Sequence, residues 1–181
     1  ILVTHRLLSQ HKGFMNIPEV VKRLKEADKK PLWLSLNAAT SANASSIKIQ
    51  EEIQNKVDEL DINSESILIN DFLDKKEILA LVQLADFIIF PYEEYVESAS
   101  GAIANCLDAN AAIIATDIVT FAEYQAEILK TESNNPEVIT KAILEMLDDH
   151  EQVSELLYND KKYVEQFNWN NQAINLLSIL D

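Results

Sequence analysis

The sequence predicts an α/β protein with a doubly wound parallel sheet, and three observations favour this fold class. Short apolar segments of strand length alternate five times with segments whose apolar residues recur at helical spacing. The strand segments are continuous apolar runs, which is typical of strands buried on both faces of a parallel sheet. With 181 residues, 48% of them hydrophobic and 25% charged, the chain has the size and composition of one globular domain. Together these features predict a Rossmann-like domain.

The first part of the chain contains three predicted strands and two predicted helices. The strands are residues 1–5, 31–37 and 66–71, and the helices are 16–27 and 47–60. In the first helix Asn16 is the expected N-cap and Pro18 lies in the first turn, two features that favour a helix start. A polar loop, 39–46, precedes the second helix.

The second part continues the alternation and then becomes helical. A helix at 75–85, a strand at 86–92, a helix at 101–109 and a strand at 111–117 are predicted, followed from residue 135 by three helical segments without a strand. Ligands of such folds bind beyond the carboxyl ends of the strands. The loops of interest are therefore 5–16, 37–46, 70–75, 91–101 and 117–124.

The charge of the chain excludes some classes of partner. The net charge is −15, from 30 acidic and 15 basic residues, so long-range repulsion opposes nucleic acid and anionic membranes as partners. A small anion can still bind at a local cation or a helix N-terminus. No apolar run is long enough to span a membrane and no signal-peptide pattern opens the chain. The start at Ile1, directly in a strand, suggests a piece of a longer protein.

Cysteine and histidine offer little chemistry. The single cysteine, Cys106, excludes an internal disulfide, fits a reducing compartment and is expected to pack as an inert apolar residue in a helix. The three histidines, His5, His11 and His150, do not have the spacing of a metal site.

The loop after the first strand contains a lysine and a glycine, Lys12 and Gly13, just before a helix. A cation and a flexible backbone at the carboxyl end of a strand suit a phosphate group, although the spacing matches neither a Walker loop nor a dinucleotide-binding glycine motif. The alternative is that Lys12 is solvated and Gly13 only permits a turn. The residues alone do not decide between these interpretations.

A second candidate site is the stretch "EEYVESASG", residues 93–101, which precedes a predicted helix. Unpaired N–H groups at Ser98, Ser100 and Gly101 can bind an anion, and the missing side chain of glycine allows close approach to the backbone. Glu97 is placed to accept hydrogen bonds from a polyol. The alternative is that the three glutamates are solvated and that Ser98 or Ser100 caps the helix.

The stretch "FPYEEYVESASGAIANCLDANAAIIATDIVTFAEY" resembles the nucleotide-sugar-binding core of the retaining family-four glycosyltransferases, which have the GT-B fold. Other pieces follow in the same order: "HKG" in the first loop, "LWLSLN" as the second strand, and "YNDKKYVEQFNWNNQAINLL" near the end, similar to the family's terminal helices with their tryptophan. The resemblance covers nearly the whole chain, but only the carboxyl-terminal half of such an enzyme.

The resemblance implies a set of site residues. Glu97 matches the first of two family glutamates that contact the donor, and the second falls on Asn105, which can bind a ribose hydroxyl but has no charge. Lys12 matches the phosphate-binding lysine of a Lys-Gly pair, and Glu97 and Lys12 are the implied catalytic residues. The other implied donor contacts are Arg6 and Gly13 with the phosphates, the amides of Ser100, Gly101 and Ala102, also with the phosphates, and the segment from Asn70 to Leu73, where Phe72 or Leu73 contacts the base.

The chain also departs from the family pattern. Glycines are usual where this chain has Asn37 and Asn110, and asparagine is expected to keep these turns because it tolerates the left-handed backbone. Thr116 and Glu123 match the turn after the last core strand and are expected to act as structural supports. No metal ion and no cofactor are expected, because the family offsets the charge of the leaving diphosphate with cations and helix dipoles.

The resulting prediction is a glycosyltransferase donor-binding domain that transfers a sugar from a nucleotide-diphosphate sugar with retention of configuration. Residues 1–165 form this domain, and the helix in 166–181 packs toward a missing amino-terminal acceptor domain, without which the fragment is inactive. Polysaccharide biosynthesis in the cytoplasm, or at the inner membrane, is the expected setting. Alternatives are a degenerate, non-catalytic half that acts as an interaction module, and an epimerase of related fold.

Overall fold

The computed structural model describes residues 1–39, 44–93, 100–107 and 109–180. Six strands form one parallel sheet in the order β3-β2-β1-β4-β5-β6. The strands are β1 (Leu2–His5), β2 (Trp33–Leu36), β3 (Ser66–Leu68), β4 (Phe87–Phe90), β5 (Ala112–Thr116) and β6 (Leu129–Thr131). The predicted doubly wound, Rossmann-like fold is confirmed.

Seven helices accompany the described strands. They are α1 (Ile17–Glu26), α2 (Ala44–Glu59), α3 (Lys75–Val82), α4 (Gly101–Ala104), α5 (Pro136–Asp148), α6 (His150–Phe167) and α7 (Trp169–Leu180). The three helices predicted after residue 135 are confirmed. Helix α2 begins at Ala44, inside the predicted polar loop 39–46, because a polar sequence can form the first turn of a helix whose later turns are anchored in the core.

Helix α4 is much shorter than the predicted helix 101–109. Its regular part ends at Ala104, and the Cys106 N–H group then donates to the Ile103 carbonyl at 2.8 Å, a bond of the tighter 3₁₀ kind. Cys106 and Leu107 are buried in this tight turn. The apolar spacing that predicted a helix is therefore satisfied by only one helical turn and the tight turn after it.

Strand β6 was not predicted from the sequence. It has three residues, "LKT", and pairs with β5 at the edge of the sheet. A segment this short with a lysine at its centre lacks both the continuous apolar run and the alternation that indicate a strand.

The core consists of the strands of the sheet and the apolar faces of the helices packed on it. The strands β2, β4 and β5 are buried at every residue, as their continuous apolar runs predict. Helix α1 buries Val20, Val21 and Leu24 on one face and packs against α5. Asn16 occupies the predicted N-cap position of α1 but does not cap it, since its Nδ2 group donates to the Asn134 carbonyl at 3.0 Å.

The strand order determines where a ligand can bind. Strands β2 and β3 lie on one side of β1, whereas β4, β5 and β6 lie on the other, so the winding of the chain reverses between β1 and β4. A crevice forms at the carboxyl edge of a doubly wound sheet at such a reversal. Within the described residues no helix is both long enough and apolar enough to cross a membrane.

Candidate functional site

A cavity of about 330 Å³ lies at the carboxyl edge of the sheet. Its walls come from the ends of β1 and β2, the loop after β3, and helices α3 and α4. Five residues that the resemblance implies as donor contacts line it: Arg6, Phe72, Leu73, Ala102 and Asn105. These residues are far apart in the sequence, and the fold brings them to one cavity.

One end of the cavity is apolar. The ring of Phe72 is 81% exposed at its mouth, and Leu73 and Ile78 line the wall behind it. An exposed aromatic ring beside an apolar wall offers a planar ligand both stacking and burial. Asn70, which belongs to the same predicted contact segment, is half-buried and does not line the cavity.

The other part of the cavity is polar, with Arg6 and Asn105 on its wall and His5 beside them. Burial lowers the pKa of His5, so its imidazole is neutral at pH 7, and Nδ1 lies 3.4 Å from the Leu36 carbonyl oxygen. Arg6 is therefore the cation among the described residues that line this cavity. A guanidinium and an amide are suited to phosphate and hydroxyl groups.

Lys12 does not line the cavity, and its side chain is only 3% exposed. Its Nζ atom lies 4.0 Å from the centroid of the Tyr92 ring, a cation–π contact. Tyr92 belongs to a cluster of aromatic rings at the end of β4 that also contains Phe14, Phe90 and Phe121. The interpretation of Lys12 as a solvated surface lysine is wrong, because its side chain is buried and its ammonium group packs on the Tyr92 ring of this cluster.

Gly13 has a left-handed backbone, with φ of 65°. A Cβ atom at this position would lie 1.8 Å from the Pro91 carbonyl oxygen. Because that oxygen belongs to the backbone, no movement of a neighbouring side chain can relieve the clash. The Glu93 N–H group donates to the His11 carbonyl at 2.8 Å, so the loops after β1 and β4 are in direct contact here. The glycine is required by this close approach of two loops, a role that sequence reasoning missed.

The N-terminus of α4 lacks the cap that one of the two sequence interpretations places at Ser100. Ser100 occupies the N-cap position, but its side chain makes no capping bond, and its buried hydroxyl has no hydrogen-bond partner among the described residues. Gly101 is exposed, and a Cβ atom there would meet nothing within 4 Å. Glu97 and Ser98 lie outside the described residues, so the expected roles of both stay predictions.

The two asparagines at family glycine positions have different roles. Asn110 has the expected left-handed backbone, with φ of 57°. Asn37 was expected to have it too, but this is wrong, because Asn37 is not among the described residues with positive φ. Its side chain is instead buried and hydrogen-bonded to Thr4 and Ser35.

The expectations for Cys106 and for the turn after β5 can be compared with the structure. Cys106 is fully buried, and burial raises the pKa of its thiol to about 12, in agreement with inert packing. Thr116 is buried at the end of β5, whereas Glu123 is exposed. The described ranges contain no group of three or more His, Cys, Asp or Glu residues that could bind a metal ion.

No protein-family model matches the sequence, and no curated protein sequence matches it significantly. Solved structures, in contrast, match over almost the whole chain. The carboxyl-terminal domain of a glycosyl transferase group 1 family protein, LpcC from Francisella tularensis, has a TM-score of 0.75 at 16% identity, over 92% of this chain and 84% of that domain. A glycosyltransferase from Rickettsia africae has a TM-score of 0.81 at 17% identity, over 98% of this chain and 46% of the other.

The chain has the fold of a GT-B carboxyl-terminal domain. A third similar structure, Anabaena HepE in complex with UDP, has a TM-score of 0.79 at 14% identity, over 98% of this chain and 48% of that protein. The chain thus spans less than half of these two longer proteins. At these identities the similarity establishes the GT-B fold and leaves the activity open.

Proposed function

We propose that this chain is the donor-binding domain of a retaining glycosyltransferase and binds a nucleotide-diphosphate sugar at the carboxyl edge of its sheet. The observation that carries the proposal is the single cavity wall formed by Arg6, Phe72, Leu73, Ala102 and Asn105. The base stacks at Phe72, the ribose contacts Asn105, and Arg6 binds the diphosphate. The complex of HepE with UDP, a protein of the same fold, supports this class of ligand.

The proposed chemistry is transfer of the sugar from the face that the diphosphate leaves. Arg6 and the backbone N–H groups at the start of α4 stabilise the negative charge that develops on the leaving diphosphate. Lys12, whose side chain lies outside the cavity, adds its positive charge at longer range. Glu97 orients the hydroxyl groups of the sugar. The charge is offset by side chains and backbone N–H groups, so the proposal includes neither a metal ion nor a cofactor.

Transfer also requires an acceptor site, which we assign to an amino-terminal domain outside this chain. In the proposed enzyme residues 1–165 hold the donor and α7 contacts the amino-terminal domain. The exposed apolar side chains of α7, among them Ile174, Leu177 and Ile179, support a partner surface on this helix. Synthesis of a polysaccharide in the cytoplasm is the proposed setting.

Calorimetry with UDP, GDP, ADP and CDP tests donor binding by the 181-residue chain. We expect at least one of these to bind, and Lys12→Met to weaken that binding about threefold, since a positive charge is lost at longer range while an unbranched side chain still covers Tyr92. Lys141→Met makes the same chemical change at an exposed lysine of α5, which pairs with Glu145 at 3.7 Å, and should have no effect. Absence of binding at millimolar concentration would show the proposal to be wrong.

One observation favours a second function. Asn105 lines the cavity where the family has a glutamate, and an amide cannot supply its negative charge. The alternative is a donor half that binds nucleotide without transferring sugar and serves as an interaction module. Measurement of sugar transfer by a protein with both domains separates the two functions. If the protein is a transferase, it transfers sugar and Glu97→Ala abolishes the transfer. If it is an interaction module, neither protein transfers sugar.

A further inference from the structure

A buried hydrogen-bonded network lies directly behind the cavity wall. The Oδ1 atom of Asn37 accepts from the Thr4 hydroxyl at 2.6 Å and from the Ser35 hydroxyl at 2.8 Å. The indole N–H group of Trp33 donates to the Thr4 hydroxyl oxygen at 3.0 Å. All four side chains are at most 2% exposed, so these bonds are made without competition from bulk water.

The network ends on the backbone of the residue that carries the cavity's cation. The Nδ2 group of Asn37 donates to the Arg6 carbonyl at 3.2 Å. The orientation of the amide is determined, because the carbonyl can only accept and must therefore face the N–H₂ group. A second hydrogen bond, from the Leu8 N–H group to the Ala38 carbonyl at 2.9 Å, also joins the loop after β1 to the loop after β2.

Asn37 thus connects two parts of one wall without reaching the ligand space. Its chain neighbours Leu36 and Ala38 line the cavity, as do Arg6 and Leu7 on the opposite loop, whereas the Asn37 side chain is 1% exposed and points into the network. Burying an amide is costly unless its donors and acceptors are paired, and here both ends are paired. Glycine, which is usual at this position in the family that the sequence resembles, would supply none of these bonds.

We propose that Asn37 is a positioning residue of the donor site: it holds the backbone of Arg6 so that the guanidinium faces the diphosphate. This inference rests on the proposed donor binding and adds a residue that the ligand does not touch. Loss of the Asn37 side chain frees the loop after β1, so Arg6 must be ordered each time a ligand binds.

The test uses UDP as the probe and the two arginines of the chain as reporters. Only Arg6 and Arg23 give Nε–Hε signals in a nitrogen–proton NMR spectrum, and Arg23, whose Nε lies 3.0 Å from Glu19 Oε1 on α1, is the internal reference. In the unsubstituted chain UDP should shift the Arg6 signal and leave the Arg23 signal in place. In Asn37→Ala the Arg6 shift should be reduced, and the Kd for UDP should rise about three- to tenfold.

A double-substitution cycle separates positioning from a general loss of stability. Arg6→Ala should weaken UDP binding strongly in the unsubstituted chain and much less in Asn37→Ala, because the second change removes a contact that is already impaired. Asn37→Asp is the second variant, since it retains the acceptor for the two hydroxyls and lacks the N–H group that binds the Arg6 carbonyl. It should also weaken UDP binding.

Thr140→Val is the matched control, because it removes a buried hydroxyl that donates to the Pro136 carbonyl on α5, away from the cavity. It should lower the melting temperature and leave UDP affinity unchanged. Unchanged UDP affinity in both Asn37 variants, or additive effects of Arg6→Ala and Asn37→Ala, overturns the positioning role alone. Absence of UDP binding by the unsubstituted chain, with no signal shift at Arg6, overturns this inference together with the use of UDP as the donor nucleotide.

Discussion

At the scale of single residues, the two glycines of the chain illustrate how differently one residue type can be used. Gly13 has a left-handed backbone and lies against the Pro91 carbonyl, whereas Gly101 begins α4 with open space around it. The first is required by the fold. The second makes no contact for which the fold requires a glycine, and its proposed contact with a ligand stays a proposal.

The glycines provide a matched pair of stability tests. Gly13→Ala should lower the free energy of unfolding by at least about 2 kcal/mol, since it adds both an unfavourable φ and a clash with backbone. Gly101→Ala should leave it unchanged or raise it by about 0.5 kcal/mol, because alanine is the better helix former. Urea denaturation of both variants measures the difference. Equal effects would contradict the close approach of the loops at Gly13.

At the scale of elements, the contact between α6 and the segment after β5 contains an unusual buried acid. Asp160 on α6 is 3% exposed, and neither of its carboxylate oxygens has a hydrogen-bond partner among the described residues. Burial and the nearby Glu127 carboxylate raise the pKa of Asp160 from 3.8 to about 8. The same contact contains Tyr124 and Tyr163, whose ring centroids are 5.4 Å apart.

This acid makes the stability of the chain depend on pH. Between pH 3.8 and about 8 the folded state keeps the proton of Asp160 while the unfolded state loses it, so stability falls as pH rises through this window. Asp160→Asn cannot ionise and should therefore raise the melting temperature by about 3 °C or more at pH 8, with little effect at pH 4.

Melting curves measured by circular dichroism across this pH range check the prediction. Asp148→Asn, at an exposed position of α5, controls for the loss of one negative charge. A melting temperature of Asp160→Asn that differs from the unsubstituted chain equally at pH 4 and pH 8 would argue against a neutral, buried Asp160.

At the scale of the whole molecule, the surface of α7 distinguishes it from the other long helices. Trp169 is 89% exposed and Ile179 is 79% exposed, while α5 buries an apolar face that includes Ile139, Ile143 and Met146. An isolated domain does not gain stability from such a surface. We therefore propose that a second domain packs against the exposed apolar surface of α7.

The two tryptophans report on this surface separately. Trp33 is fully buried and Trp169 is exposed, so acrylamide should quench only part of the emission of the 181-residue chain, and Trp169→Phe should remove that part. In a protein that also carries the proposed amino-terminal domain, Trp169 should be protected and its emission should shift to shorter wavelength. Equal quenching in both proteins would contradict the assignment of α7 to the domain interface.

Much of the fold could be predicted from the sequence because it depends on local patterns. Continuous apolar runs indicated five of the six strands, and helical spacing indicated the helices that cover them. The resemblance to a known family added five residues that line the cavity, namely Arg6, Phe72, Leu73, Ala102 and Asn105. Strand β6 and the early end of α4 escaped prediction, since a three-residue edge strand and a tight turn carry little pattern of their own.

The sequence by itself therefore determined the order of the helices and of the first five strands, the parallel sheet and the edge at which a ligand can bind. Only the tertiary structure decided that Gly13 must be glycine, that Lys12 lies over Tyr92, and that Asn37 bonds to the Arg6 backbone. The physical reason is the range of the interactions. Periodicity acts between neighbours in the chain, whereas these three contacts join loops that meet only when the sheet has formed.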